Sequence, residues 1–139
     1  MDRVPAGRLA IIAAASILLA GGVGAWTISR PTGGGQAPAM DIGSLSPEVA
    51  AHYRFVEKEP DLAVRIPCYC GCGSSLGHQN LKDCFLKKGG YSDHATTCLI
   101  CNRIAADVER LLAGGGDAAT IRAWVDQEYS QFGPPTHTP

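Results

Sequence analysis

The sequence lacks most of the signatures that mark common catalytic sites. It contains no Gly-x-Ser-x-Gly elbow, no phosphate-binding Gly-Lys motif and no His-Glu-x-x-His. Nothing therefore points to the hydrolases, NTPases or metalloproteases built on those motifs. It also lacks an excess of basic charge. Twelve Lys and Arg stand against 13 Asp and Glu, for a formal net charge of −1. Beyond Met40 the balance is −3, from 9 basic and 12 acidic residues. A chain that neutralises phosphates needs a basic face, so nucleic acid is not expected as a partner. No stretch reads as a convincing strand, and no internal repeat is visible. With 139 residues the expectation is one small domain plus accessory segments.

Charge is also missing locally. Residues 9–28, LAIIAAASILLAGGVGAWTI, carry no charged side chain over 20 positions. At ~1.5 Å rise per residue, such a helix spans the ~30 Å hydrocarbon core of a bilayer. Arg3 and Arg8 precede it and Arg30 follows, which favours the amino terminus inside and the remainder outside. Trp26 falls where an interfacial aromatic anchor would sit. The competing reading is a cleaved export signal, with Val23-Gly24-Ala25 as the small-residue cleavage site. The run is long for a signal, so an uncleaved transmembrane helix is favoured. No cysteine near its end could accept a lipid. Either reading puts the rest of the chain on the extracytoplasmic side of the cell membrane.

Four segments are expected: an anchor or signal at 1–29, a Gly/Pro-rich linker at 30–45, a Cys-rich helical domain at 46–132, and a disordered tail at 133–139 that leaves His137 incidental. Ser46 suits a helix N-cap, Pro47 the first helical position and Glu48 the first turn. Val49, Tyr53 and Val56 share a face of that helix, which should end before Pro60. DLAVRI (61–66) is ambiguous between a helical turn and an extended piece. PCYCGCGSSLG (67–77) is too rich in glycine for a regular element and reads as a tight loop. A short helix is expected over 78–88, stopped by Gly89-Gly90. Ser92 or Asp93 should cap a helix reaching about Ala113, with Cys98, Cys101, Ala105, Val108 and Leu112 on its apolar stripe. Asp117 should cap a last helix with Ile121, Val125, Tyr129 and Phe132 inward. The fold class is therefore all-α: about four helices around a Cys-rich loop. A core this small is marginal, and a covalent or metal cross-link would add to its stability.

What the sequence does have is cysteine, concentrated. Cys68, Cys70, Cys72, Cys84, Cys98 and Cys101 all fall within 34 residues. Two chemistries compete for them. Thiolates bind soft ions such as copper(I), zinc or iron–sulfur clusters. Copper(I) accepts two or three sulfurs, which suits C-x-C-x-C. Zinc prefers four tetrahedral ligands, usually from two C-x₂₋₄-C knuckles, and only Cys98-x-x-Cys101 has that spacing. The alternative is disulfides: the compartment is oxidising, six is even, and 15 pairings are open. A redox-active dithiol is a third reading, weakened because C-x-x-C is expected in mid-helix, where no helix dipole lowers a thiol pKa.

His94, Cys98 and Cys101 stand at i, i+4 and i+7, which would put them on one helical face, so His94 is a candidate ligand. His78, just after the loop, is another. His52 reads as a surface or packing residue. Asp83 and Asp93 could orient ligands or serve as ordinary polar helix residues.

The run IPCYCGCGSSLGHQNLKDCF (66–85), followed by DHATTCLICNRIAADV (93–108), resembles the bacterial PCYCGC-motif family, small exported proteins largely without assigned function. The resemblance extends over residues 52–129. It implies that Cys68, Cys70, Cys72, His78, Cys84, His94, Cys98 and Cys101 belong to one recurring pattern. Many relatives look like lipoproteins, and this chain departs from them in having an apolar helix instead. The segment 104–129 also looks loosely like the helical thiol-reductase subunits of cytochrome c maturation, whose C-x-x-C precedes their helices.

The expectation is a membrane-tethered, non-enzymatic metal-binding protein, copper(I) before zinc, exchanging metal with a donor or acceptor protein or sequestering it. Its metal ligands would be the six cysteines with His94 and His78. A disulfide-stabilised interaction domain and a thiol–disulfide partner are the alternatives.

Overall fold

The computed structural model describes residues 40–139. The apolar run at 9–28 and most of the expected linker lie outside the described residues. Among the described residues no helix is long and apolar enough to cross a membrane.

The described part is mostly helical. Helix α1 (Pro47–Lys58) starts as its sequence dictates. The Ser46 hydroxyl accepts from the Val49 N–H at 3.3 Å, Pro47 occupies the first turn, and Glu48 and Lys58 complement the dipole at opposite ends. Pro60 ends α1 and opens α2 (Pro60–Arg65), which settles the ambiguous DLAVRI as helix. The chain then runs without regular structure through Cys68 and Tyr69. Helix α3 (Cys72–Leu76) and helix α4 (Leu81–Phe85) follow, each five residues long. A two-residue antiparallel hairpin comes next, β1 (Leu86–Lys87) with β2 (Gly90–Tyr91), in the register Leu86 opposite Tyr91. A 3₁₀ turn at His94–Thr96 leads to helix α5 (Leu99–Ala113). Helix α6 (Ala118–Tyr129) is capped by Asp117, which accepts from the Thr120 N–H at 2.8 Å.

Helix α5 is the central element, packed between α1 and α6, while α4 packs against α2. Tyr53, Val56, Ile66, Leu81, Phe85, Ile104, Val108, Ile121 and Val125 are fully buried. The Phe85 ring meets Tyr53 edge-on with centroids 4.9 Å apart. Burying a side chain of this size contributes ~1.5–3 kcal/mol. Cys68, Cys72, Cys84 and Cys101 belong to the same buried cluster, so the sulfurs complete the core rather than line a surface.

Several expectations are corrected. The folded part begins before Ser46: Met40, Ile42 and Leu45 pack on the core around a 3₁₀ turn at Ile42–Ser44. Among the described residues six α-helices form rather than about four, and a short hairpin is present. The Gly-rich loop contains helix α3, because Gly71 (φ 82°) and Gly77 (φ 73°) supply left-handed residues at its two ends. The expected helix over 78–88 is only Leu81–Phe85, because Asn80 caps it at its start and the hairpin with Gly89 at φ 85° begins at Leu86. The helix expected from Ser92 or Asp93 starts only at Leu99. Phe132 does not point inward: it is 47% exposed, since α6 stops at Tyr129 and the following 3₁₀ turn carries it out. The tail, expected to be disordered, lies against the Cys68 segment with Thr136 buried.

Candidate metal centre

Five separate pieces of chain bring the eight sequence-predicted residues together. The C-x-C-x-C run supplies three. Where a chain is extended, alternate side chains share a face, and Cys68 and Cys70 sulfurs lie 3.4 Å apart. Tyr69 between them points the other way, and its hydroxyl donates to Asp126 Oδ1 at 2.6 Å on α6. Burial, with that carboxylate, pushes the Tyr69 phenol up, so it stays a donor. Helix α4 supplies Cys84, whose sulfur is 3.6 Å from Cys72. The Leu81 N–H donates to the Ile66 carbonyl at 2.8 Å, pinning the start of α4 beside the C-x-C-x-C run.

The start of α5 supplies Cys98 and Cys101. Cys98 is the N-cap and Cys101 lies in the first turn. The C-x-x-C therefore stands at a helix N-terminus, not in mid-helix as the sequence suggested. The reason is local: the chain breaks between the His94–Thr96 turn and Leu99, with Cys98 extended at φ −82°, ψ 100°. His94 thus reaches the site from its own 3₁₀ turn rather than from the face of α5. Its Nε2 is 3.4 Å from Cys70 Sγ. The His78 and His94 rings meet edge-on with centroids 5.1 Å apart.

Cys68 lies 3.3 Å from Cys101, and Cys70 lies 3.6 Å from Cys101. A disulfide bond is ~2.05 Å long, and none of the six cysteines is bonded to another. Sulfurs round one tetrahedral zinc, each ~2.3 Å from the ion, would stand about 3.8 Å apart. Four sets of donors have all their ligand atoms within 4.8 Å of one another: Cys70, His94, Cys98, Cys101; Cys72, His78, Cys84, His94; Cys68, Cys84, Cys101; and Cys68, Cys70, Cys72. The first set includes three half-buried residues, whereas Cys68, Cys72, Cys84 and Cys101 are at most 1% exposed. His78 Nδ1 is buried without a hydrogen-bond partner. A ring that has an orphaned nitrogen and a donor atom within 4.8 Å of two buried sulfurs is what a ligand looks like without its ion. The residues present therefore fit a thiophilic cation.

Protons in this cluster are shared unequally. Thiol donation, from Cys101 foremost, pulls Cys68, Cys70 and Cys72 well below the usual thiol range. Cys101 is pushed up, first by Cys68 and then by its other sulfur neighbours. At Cys84, Cys101 works downward, but Cys68, Cys70, Cys72 and burial together raise it. At Cys98 the lowering by Cys101 is likewise outweighed by Cys70 and burial. The C-x-C-x-C segment thus leans to thiolate while Cys84, Cys98 and Cys101 keep protons.

Sequence reasoning missed the residues that hold these ligands in place. Asn102 is buried; its side-chain amide donates to the Ala95 carbonyl at 2.6 Å and the Cys98 carbonyl at 2.9 Å. Its Oδ1 lies 2.9 Å from His52 Nδ1, which gives His52 an interior role. One polar residue four positions beyond Cys98 on a buried stripe was the available signal. Tyr53 donates to the Ser92 carbonyl at 2.6 Å, and Ser92 Oγ accepts from the His94 N–H at 3.4 Å. Thr136 Oγ1 accepts from the Cys68 N–H at 2.8 Å, while its own N–H donates to the Cys68 carbonyl at 3.0 Å. Asp83 orients no ligand directly: it accepts from the Gln79 N–H at 2.8 Å and so closes the loop carrying His78. Asp93 accepts from the Thr96 hydroxyl through its backbone carbonyl.

Comparison with known proteins adds one finding. A family model described as a protein of unknown function with PCYCGC motif matches residues 32–139. No curated protein and no solved structure matches the chain.

Proposed function

The chain belongs to the family of proteins with the PCYCGC motif, and on that premise we propose that it binds a soft transition metal through its clustered thiolates, for handover or sequestration. One observation carries the reading: six sulfurs and two imidazoles from five chain segments converge, with each buried sulfur close to two or more others. A disulfide framework favours discrete pairs, and Cys101 has near neighbours in both Cys68 and Cys70. Two thiolates 3.3 Å apart would repel by about 5 kcal/mol at an effective dielectric of 20. Protons or cations must lie among such sulfurs, and a soft cation binds thiolate well.

Copper(I) is the first candidate, because the all-sulfur triads Cys68–Cys84–Cys101 and Cys68–Cys70–Cys72 suit an ion that takes three sulfurs. Zinc is the second, suited to the four-donor sets. The role is binding rather than catalysis, with a metal-donor or metal-acceptor protein as partner. Tethering at the extracytoplasmic face of the cell membrane rests on the charge-free residues 9–28.

A thiol–disulfide role gains one observation, the position of Cys98 at the N-terminus of α5. The upward net shift of Cys98 works against it, because a protonated thiol attacks poorly. Anaerobic purification of the full chain with parallel metal and thiol determination tests the reading. Bound copper or zinc, with six thiols reactive after chelation, supports it. A chain with neither metal nor free thiols, which takes up no copper(I) or zinc after reduction, contradicts it.

A further inference from the structure

The donors outnumber one coordination shell. A tetrahedral ion takes four ligands, and eight converge here. The sulfurs of Cys68, Cys72 and Cys84 lie within 4.8 Å of one another, since each pair among them falls in a close set or contact. His78 joins Cys72 and Cys84 within the same limit. That leaves Cys70, Cys98, Cys101 and His94, which are a complete close set by themselves. The eight residues therefore divide without remainder into two groups of three cysteines and one histidine.

We propose that the chain holds two thiophilic cations at once, an inner one on Cys68, Cys72, Cys84 and His78 and an outer one on Cys70, Cys98, Cys101 and His94. This rests on the thiolate–metal reading above and adds the number and partition of the ions. Two further observations carry it. His78 Nδ1 is buried and unpartnered, and the ring has a nitrogen within 4.8 Å of the Cys72 and Cys84 sulfurs, so the inner group has its own nitrogen donor. Charge gives the second. Once metal has displaced the protons of Cys84, Cys98 and Cys101, six thiolates with one divalent ion would leave −4 in a core where four of the six cysteines are at most 1% exposed, and a second divalent ion would halve that to −2.

The groups differ in access. Cys70, Cys98 and His94 are half-buried, while the inner three sulfurs are fully buried. Cys68 of the inner group lies 3.3 Å from Cys101 and 3.4 Å from Cys70 of the outer group. Those contacts put Cys68 at the junction of the two groups.

The test loads the full chain anaerobically with cadmium, a thiophilic probe, and reads native mass spectrometry together with ¹¹³Cd magnetic resonance. Two ions per chain and two cadmium signals are expected, with His78→Ala displacing one signal and Cys98→Ser displacing the other. His78 is only partly buried, so its variant keeps the test open should a substitution of Cys84 prevent folding. One ion with one signal, or both variants displacing the same signal, overturns the two-ion partition and leaves the metal-binding reading standing. A chain that takes up no cadmium overturns both.

Discussion

The sulfur of Cys68 lies 3.3 Å from that of Cys101, across 33 residues of sequence. Cys68 sits in irregular chain and Cys101 in the first turn of α5, and both are fully exclude from water at 0% exposure. Their contact joins the C-x-C-x-C and C-x-x-C halves of the motif into one centre. The predictions that follow ask what holds that contact and what it binds.

Asn102 fixes the Cys98 end. Its amide satisfies the carbonyls of Ala95 and Cys98 inside the protein. Asn102→Ala leaves both without that donor, and chemical denaturation should show a loss of about 1–3 kcal/mol. Because the residue orients a ligand from outside the coordination shell, metal affinity should also fall by roughly 10–100-fold. Chelator competition measures that loss. Unchanged affinity in a folded variant would remove Asn102 from the site.

Thr136 fixes the other end. Two hydrogen bonds clamp it to the Cys68 backbone. Thr136→Val keeps the size, removes the hydroxyl acceptor and leaves the Cys68 N–H short of a partner, for a loss of about 1 kcal/mol. Alkylation of Cys68, followed by peptide mapping, should then proceed faster than in the unaltered chain. An equal rate would show that the tail does not guard the sulfur.

Acid should release the metal, and the sign follows from the protons already in place. Cys84, Cys98 and Cys101 are pushed up, so they carry protons at neutral pH, and a metal ion must displace them. Loading at neutral pH should release protons, and affinity should fall as pH falls, because protons compete for the same sulfurs. Titration in buffers of different ionisation enthalpy counts the protons. Binding that releases none would mean the thiols are not the ligands.

Removing the metal should soften the fold. The cluster is part of the core, and an ion held at 100 times its dissociation constant adds about 2.7 kcal/mol. For a domain of this size that corresponds to a Tm roughly 10–20 °C higher loaded than stripped. Differential scanning calorimetry with and without chelator reads it. Equal melting temperatures would place the ion outside the folded core.

The capping chemistry made parts of the fold legible. Ser46-Pro47-Glu48 and Asp117 each start a helix where their side chains satisfy free N–H groups. The spacing of Cys68, Cys70 and Cys72 gave the sulfur-bearing segment, and all eight donors were visible as residue types. Helix α3 was not legible, because glycine content argues against a helix while two left-handed glycines in fact bound one. The start of α5 was misplaced because 93–113 has continuous helical periodicity, whereas the chain is extended at Cys98 and the Asn102 amide takes up the carbonyls of Ala95 and Cys98 ahead of the helix. The tail looked disordered because its order comes from one distant backbone, that of Cys68. Long-range partners of this kind leave no local trace in sequence.

The central claim is that sulfur holds the ion, and X-ray absorption at the metal edge reads the coordinating atoms directly. The full chain loaded with zinc should give a first shell of about three sulfurs and one nitrogen per ion. A shell of oxygen and nitrogen alone would mean that the ion sits on carboxylates and imidazoles elsewhere, and the account would fail.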